Sequence, residues 1–173
     1  MKRYLRYLLS TIVGFVAVFL AITSYSSGPA ISPAPNGIEI PENFKDWRVI
    51  GMSHREDNLT LRVILGNDIA IEAARTGNIN PWPNGAILGK LVWKDTSHPV
   101  WEKATVPGKF VHAEFMFKDA GKYASTGGWG FARWKGAEQT PYGEDASFVQ
   151  ECYGCHLPVK EDDYVFTHPM LMP

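Results

Sequence analysis

Hydrophobic and polar positions alternate most clearly between Val106 and Lys118. Val111, Ala113, Phe115 and Phe117 fall on one side of the chain, and His112, Glu114, Met116 and Lys118 on the other. A period of two is the mark of a strand with one face turned to a core. The same reading predicts strands at Arg48–Met52, at Leu59–Leu65 before the Gly66-Asn67 stop, and at Ala86–Lys94. Leu59–Leu65 is also rich in β-branched residues, which suit a pleated surface. Tyr123–Trp134 carries the turn Gly127-Gly128 and runs on into an aromatic strand. Between the second and third strands the apolar spacing changes to Ile69, Ile71, Ala73 and Ala74. With Asn67-Asp68 ahead as a cap and Gly77 behind as a stop, that spacing predicts a helix. Pro41–Trp47 reads as a short helical turn, Asn78–Gly85 as turn chemistry, and Asp145–Glu151 as a second helical stretch. No repeat or heptad pattern is present. Short strands with hairpin-like connections and a few helices predict an α+β domain on a mainly antiparallel β-sheet, with a helical C-terminal section.

Residues 1–30 break the pattern. Lys2, Arg3 and Arg6 precede an apolar run from Leu8 to Ile22, broken only by Ser10, Thr11 and Gly14, and a small polar exit follows. That order is the layout of an export signal. The run is 15 residues long, short of the roughly 20 needed to cross a bilayer core, yet no A-x-A cleavage site follows it. A cleaved signal peptide and an N-terminal anchor to the inner membrane through residues 8–25 both remain open, and both place the domain in the periplasm. Ser26–Asn36 holds three prolines and no charge. We read the stretch as linker, with residues 31–43 leading into a domain of residues 44–173.

Composition narrows the choices. The 173 residues are 45% apolar and 13% aromatic, enough for one domain with a proper core. Without Lys2, Arg3 and Arg6 the 17 bases become 14 against 18 acids, a net charge of −4. An acidic body argues against nucleic acid as a partner, since that binding rests on neutralising phosphates. Two cysteines are too few for a disulfide scaffold and call for another explanation.

That explanation is Cys152-Tyr153-Gly154-Cys155-His156, the C-x-x-C-H pattern of covalent haem c attachment. Two thiols two residues apart reach the vinyl groups on one porphyrin edge, and the adjoining imidazole becomes the proximal iron ligand. The alternatives are a redox-active cysteine pair and a zinc site. A thioredoxin-type pair opens a helix, whereas this motif ends a helical stretch and precedes Pro158; zinc needs two further ligands at fitting spacing. The expected cofactor is therefore one covalent haem c per chain, held by Cys152, Cys155 and His156. A sixth ligand would give a plain electron-transfer cytochrome c, and a vacant position would give a small-ligand site. Met52, Met116, Met170, Met172, His54, His98, His112 and His168 are the candidate sixth ligands, although methionine more often fills a core.

Several stretches together resemble the cytochrome P-460 family, which includes the cytochrome c′-beta proteins. They are Cys152–His156, Val165-Phe166-Thr167, Gly85 with Lys90-Leu91-Val92, and Lys118-Asp119 with Trp129 and Phe131. The resemblance runs from about Phe44 to His168. It implies a homodimeric, mainly antiparallel-β haem protein whose iron is five-coordinate through His156. In the enzymatic branch a lysine is bonded to a meso carbon of the porphyrin, and hydroxylamine is oxidised, with nitric oxide entering the chemistry, to nitrous oxide. Electrons pass to a cytochrome acceptor. The c′-beta branch lacks that bond and binds nitric oxide or carbon monoxide without turnover.

Lys90 matches the cross-linking lysine. Period two independently sets Lys90 beside Leu88 and Val92, and a desolvated lysine becomes a usable nucleophile; an edge lysine snorkelling to water is the alternative. Arg62 matches a distal arginine able to orient a ligand, or serves a structural salt bridge. Hydroxylamine oxidation also needs a proton acceptor, and Glu144 and Asp145 lie in the matching stretch, where either would also serve as a helix cap. Phe115, Phe117 and Phe131 are candidate pocket walls or core.

Overall fold

The computed structural model describes residues 30–170. Arg48–Arg55 (β1), Thr60–Gly66 (β2), Ile87–Ser97 (β3), Thr105–Lys118 (β4), Trp129–Lys135 (β5) and Thr140–Pro141 (β6) form one antiparallel sheet. Its spatial order is the chain order, β1 to β6. Residues directly opposite in an antiparallel pair share a face, so the register writes rungs across the sheet. One rung is Arg62–Val92–His112, the next Ile64–Lys90–Glu114–Arg133, and the next Gly66–Leu88–Met116–Phe131. The alternation predicted for β4 is thus realised, with His112, Glu114 and Met116 on the face that carries the site.

The opposite face is aromatic. Phe115 meets Phe44 at 5.3 Å, Trp134 at 5.9 Å and Trp47 at 6.1 Å between ring centroids, all edge to face. Phe115 and Trp134 are fully buried, and each such side chain stabilises the fold by roughly 1.5–3 kcal/mol through burial. Residues 31–43 cover part of this face, which corrects their reading as a linker. Ala34 and Ile38 are buried in the core. The Trp134 Nε1–H donates to the Ser32 carbonyl at 2.9 Å, and the Asn36 amide donates to the Phe131 carbonyl at 2.9 Å. Pro35 sits in a turn closed by the Gly37 N–H donating to the Ala34 carbonyl at 2.8 Å, and the sheet supplies the segment's other partners.

On the site face, Asp68–Thr76 (α1) packs Ala70, Ile71 and Ala73 against Ile50, Ile64 and Leu88. Asn67 caps it by accepting from the Ala70 N–H at 3.0 Å, and Gly77 ends it in the left-handed region at φ 74°. The C-terminal section begins with a 3-10 turn, Ala146–Phe148, and continues as Val149–His156 (α2) and a second 3-10 turn, Leu157–Asp162. The helix therefore runs through the cysteine motif instead of stopping at Glu151. Asp145 caps the leading turn, which passes into α2 without a break, and Pro158 starts the next turn.

The leader, residues 1–29, and Met172 lie outside the described residues. Among the described residues no helix is long and apolar enough to cross a membrane.

Candidate functional site

His156 closes α2, with its ring 5.3 Å from Phe131 on the sheet and 5.2 Å from Phe166 in the tail. Its Nδ1 lies 2.6 Å from the Tyr164 carbonyl oxygen. A carbonyl only accepts, so Nδ1 carries the hydrogen and Nε2 keeps its lone pair. Burial lowers the imidazole pKa, against the opposing pull of the Tyr164 hydrogen bond. A neutral ring with one nitrogen tied to a carbonyl and the other free is how a metal-ligating histidine is prepared.

Cys152 and Cys155 are three apart on the same helix and so share one side of it. Cys152 is half-buried against the sheet, and burial pushes its thiol up to about 11; Cys155 is exposed. The two are not joined as a disulfide.

Beside the motif helix, Glu114 gathers three cations or potential cations. Lys90 Nζ meets one carboxylate oxygen, Arg133 Nε donates to the other at 2.5 Å, and His112 Nε2 lies 3.5 Å away. Burial alone would raise the Glu114 pKa, but Lys90, Arg133 and His112 outweigh it and hold the carboxyl down to about 2. Arg133 also reaches Glu151 of α2 at 3.6 Å, tying the cluster to the motif helix. The charges of Lys90 and Glu114 act on both Cys152 and His156. The register of three strands has thus delivered a lysine, a carboxylate and an arginine to the side of the motif helix that carries Cys152 and Glu151.

The Cytochrome P460 family model matches residues 41–167, a span that holds the whole sheet, the motif and Tyr164. The chain belongs to the cytochrome P460 family. A search of curated proteins returned no match.

Membership in the cytochrome P460 family makes the chain a haem protein, and the donor set fits the group. A neutral imidazole with a free Nε2 and two thiols on one helical side are what covalent haem binding uses. Among the described residues no cluster of His, Cys, Asp and Glu is arranged to hold a metal ion. The Lys90–Glu114–Arg133 rung lies on one face of the sheet, beside the motif helix. A groove of about 360 Å³ runs along α1 past Asp68, Glu72 and Pro83, and neither Lys90 nor His156 lines it.

Of the residues expected from sequence, Lys90, Cys152 and His156 come together, and Arg62 stands on the adjoining rung. Lys90 is flanked along β3 by Leu88 and Val92 and across the sheet by Ile64, but its partner on β4 is a carboxylate, so its surroundings are less apolar than the strand pattern predicts. Arg62 makes no salt bridge among the described residues; burial first, and repulsion from Arg55 second, lower its pKa. Glu144 and Asp145 do not join the cluster. Both are exposed, and the Asp145 carboxylate is engaged in capping, accepting from the Ser147 N–H at 2.8 Å. The carboxylate that does stand in the site is Glu114, which sequence reasoning placed on the polar side of β4 without assigning it a role.

Phe131 is on the site face, whereas Phe115 and Phe117 point into the opposite core. Among the candidate sixth ligands, His54 is held by Asp95 at 2.5 Å, His98 accepts from the Val100 and Trp101 N–H groups, and Met52 is exposed. Met116 shares the rung of Leu88 and Phe131.

Proposed function

We propose that this chain is a periplasmic haem c oxidoreductase that oxidises hydroxylamine, with nitric oxide chemistry, to nitrous oxide. Cys152 and Cys155 carry the thioether bonds, His156 is the proximal ligand and Lys90 forms the additional bond to the ring. The protein acts as a homodimer and passes electrons to another cytochrome. The observation that carries this reading is the meeting of Lys90, Glu114 and Arg133 on one rung of the sheet, with Arg133 reaching Glu151 of the motif helix.

The haem, when bound, supplies electron transfer at iron and a coordination position for hydroxylamine or nitric oxide. The protein's part is to orient that small polar ligand and to take up the protons that leave with the electrons. Glu114 is the carboxylate in place for the second task. Clamped by Lys90 and Arg133 it is a weak base. Were the Lys90 nitrogen held by the porphyrin, it would carry no ammonium charge; Glu114 would then have Arg133 as its main partner and a higher proton affinity. Arg62, a half-buried cation on the next rung, is suited to hold a ligand oxygen or a developing negative charge.

Mass spectrometry of haem-bearing tryptic peptides tests the reading. Peptides containing Lys90 and Cys152 joined through one porphyrin are expected, and a porphyrin attached only at Cys152 and Cys155 removes the enzymatic assignment. A second reading, a non-catalytic binder of nitric oxide or carbon monoxide, draws on the low pKa of Glu114, which makes that carboxylate a poor proton acceptor. That reading predicts ligand uptake with no lysine bond. An electron-transfer cytochrome predicts no uptake of carbon monoxide by the ferrous protein.

A further inference from the structure

Just after the motif helix, two consecutive residues, Asp163 (φ 51°) and Tyr164 (φ 64°), adopt the left-handed backbone. Neither is glycine, and a side chain crowds its own carbonyl there, so such a pair persists only where the surroundings over-determine it. Here they do. The Asp163 carboxylate accepts from Lys118 Nζ at 2.6 Å with one oxygen and from the Trp82 N–H at 2.8 Å with the other, and its backbone carbonyl accepts from Trp129 Nε1 at 2.8 Å. Lys118 also stands 4.9 Å over the Trp129 ring. The side chains of Lys118 and Asp163 are only 6% and 9% exposed.

A buried ion pair is a poor way to stabilise a fold, because desolvation consumes most of the attraction. It is a good way to fix a position. The next residue along is Tyr164, whose carbonyl oxygen holds His156 Nδ1 at 2.6 Å.

We infer that the Lys118–Asp163 pair is a positioning device for His156: it locks the kink that aims the Tyr164 carbonyl, and through it sets the orientation and donor strength of the imidazole. The inference rests on the reading of His156 as the iron ligand. A histidine whose N–H is tied to a fixed carbonyl is a stronger and better-aimed donor through its other nitrogen. Lys118 and Asp163 are thus positioning residues, acting on the ligand from another strand and from the tail.

The test uses the full chain matured with its haem, in wild type, Asp163→Asn, Lys118→Arg and the double variant Lys118→Met/Asp163→Asn. Asparagine tolerates the left-handed backbone as aspartate does, so Asp163→Asn removes charge without adding backbone strain. The double variant leaves no lone buried charge, and it carries the test should a single variant fail to fold. The readout is the iron–imidazole stretching band of the ferrous protein by resonance Raman, beside haem content per chain. The expected result is unchanged haem content with the band shifted to lower frequency and broadened in Asp163→Asn and in the double variant, and nearer wild type in Lys118→Arg. A wild-type protein without an iron–imidazole band overturns the haem reading, and the inference with it. A wild-type band that the double variant leaves unmoved overturns the inference alone.

Discussion

Replacing Glu114 by Gln keeps the volume and one acceptor oxygen at the centre of the site while removing the charge that Lys90 and Arg133 share. The Glu114 side chain is 17% exposed, and its pKa falls from the ordinary 4.5 to about 2. At about 1.4 kcal/mol for each pH unit, the ionised carboxylate stabilises the folded chain by about 3 kcal/mol at neutral pH. The sign follows from which state takes up the proton first. On acidification the unfolded chain protonates near 4.5 and the folded chain only near 2, so the stabilisation is complete above 4.5, declines across that window and is gone below it. Glutamine has no such dependence. Urea unfolding followed by far-UV circular dichroism should show the variant less stable by about 3 kcal/mol at pH 7, and by under half of that near pH 3. Bonding of Lys90 to the porphyrin shrinks the difference towards the share of Arg133. An equal loss at pH 7 and pH 3 would refute the electrostatic account, because a packing defect does not follow the proton.

Lys90→Leu should leave the haem on Cys152 and Cys155 while moving the reduced optical spectrum to that of an ordinary c-type haem; an unaltered spectrum takes Lys90 out of the site. His156→Ala should lose both iron ligation and stable maturation, read as the yield of haem-bearing chain, since the apolar residues facing the haem are left unpacked. Asp145→Ala should cost about 1 kcal/mol of stability, as the loss of a cap does, with carbon monoxide binding by the ferrous protein unchanged; impaired binding would return Asp145 to the site.

Features that depend on near neighbours were legible in the sequence. The alternation in β4 and the Asn67–Gly77 bounds of α1 each follow from a few adjacent residues. Contacts between distant parts of the chain were not legible. Ala34 and Ile38 look like linker until Trp134 is placed beneath them, because nothing local says that a proline-rich strip has a partner. The resemblance points to Glu144 and Asp145 as the site carboxylate and leaves Glu114 without a role. What decides is the β3–β4–β5 register, which sets Glu114 opposite Lys90 and Arg133. A lysine in a strand likewise looks solvated until its partner, 45 residues further on, is known to be buried with it. The helical boundary misread, at Glu151, lies inside α2, which runs on to His156 and passes directly into the next 3-10 turn, so no local stop marks the place.

Strand order that repeats chain order has a consequence for how the molecule matures. Each hairpin can zip onto its predecessor as soon as it is made, with no late insertion between strands already paired. The two thiols and the imidazole come after the last of these hairpins, so the covalent attachment proposed above would take place on a nearly finished scaffold, which then needs only to draw one short helix and its tail down onto a waiting surface.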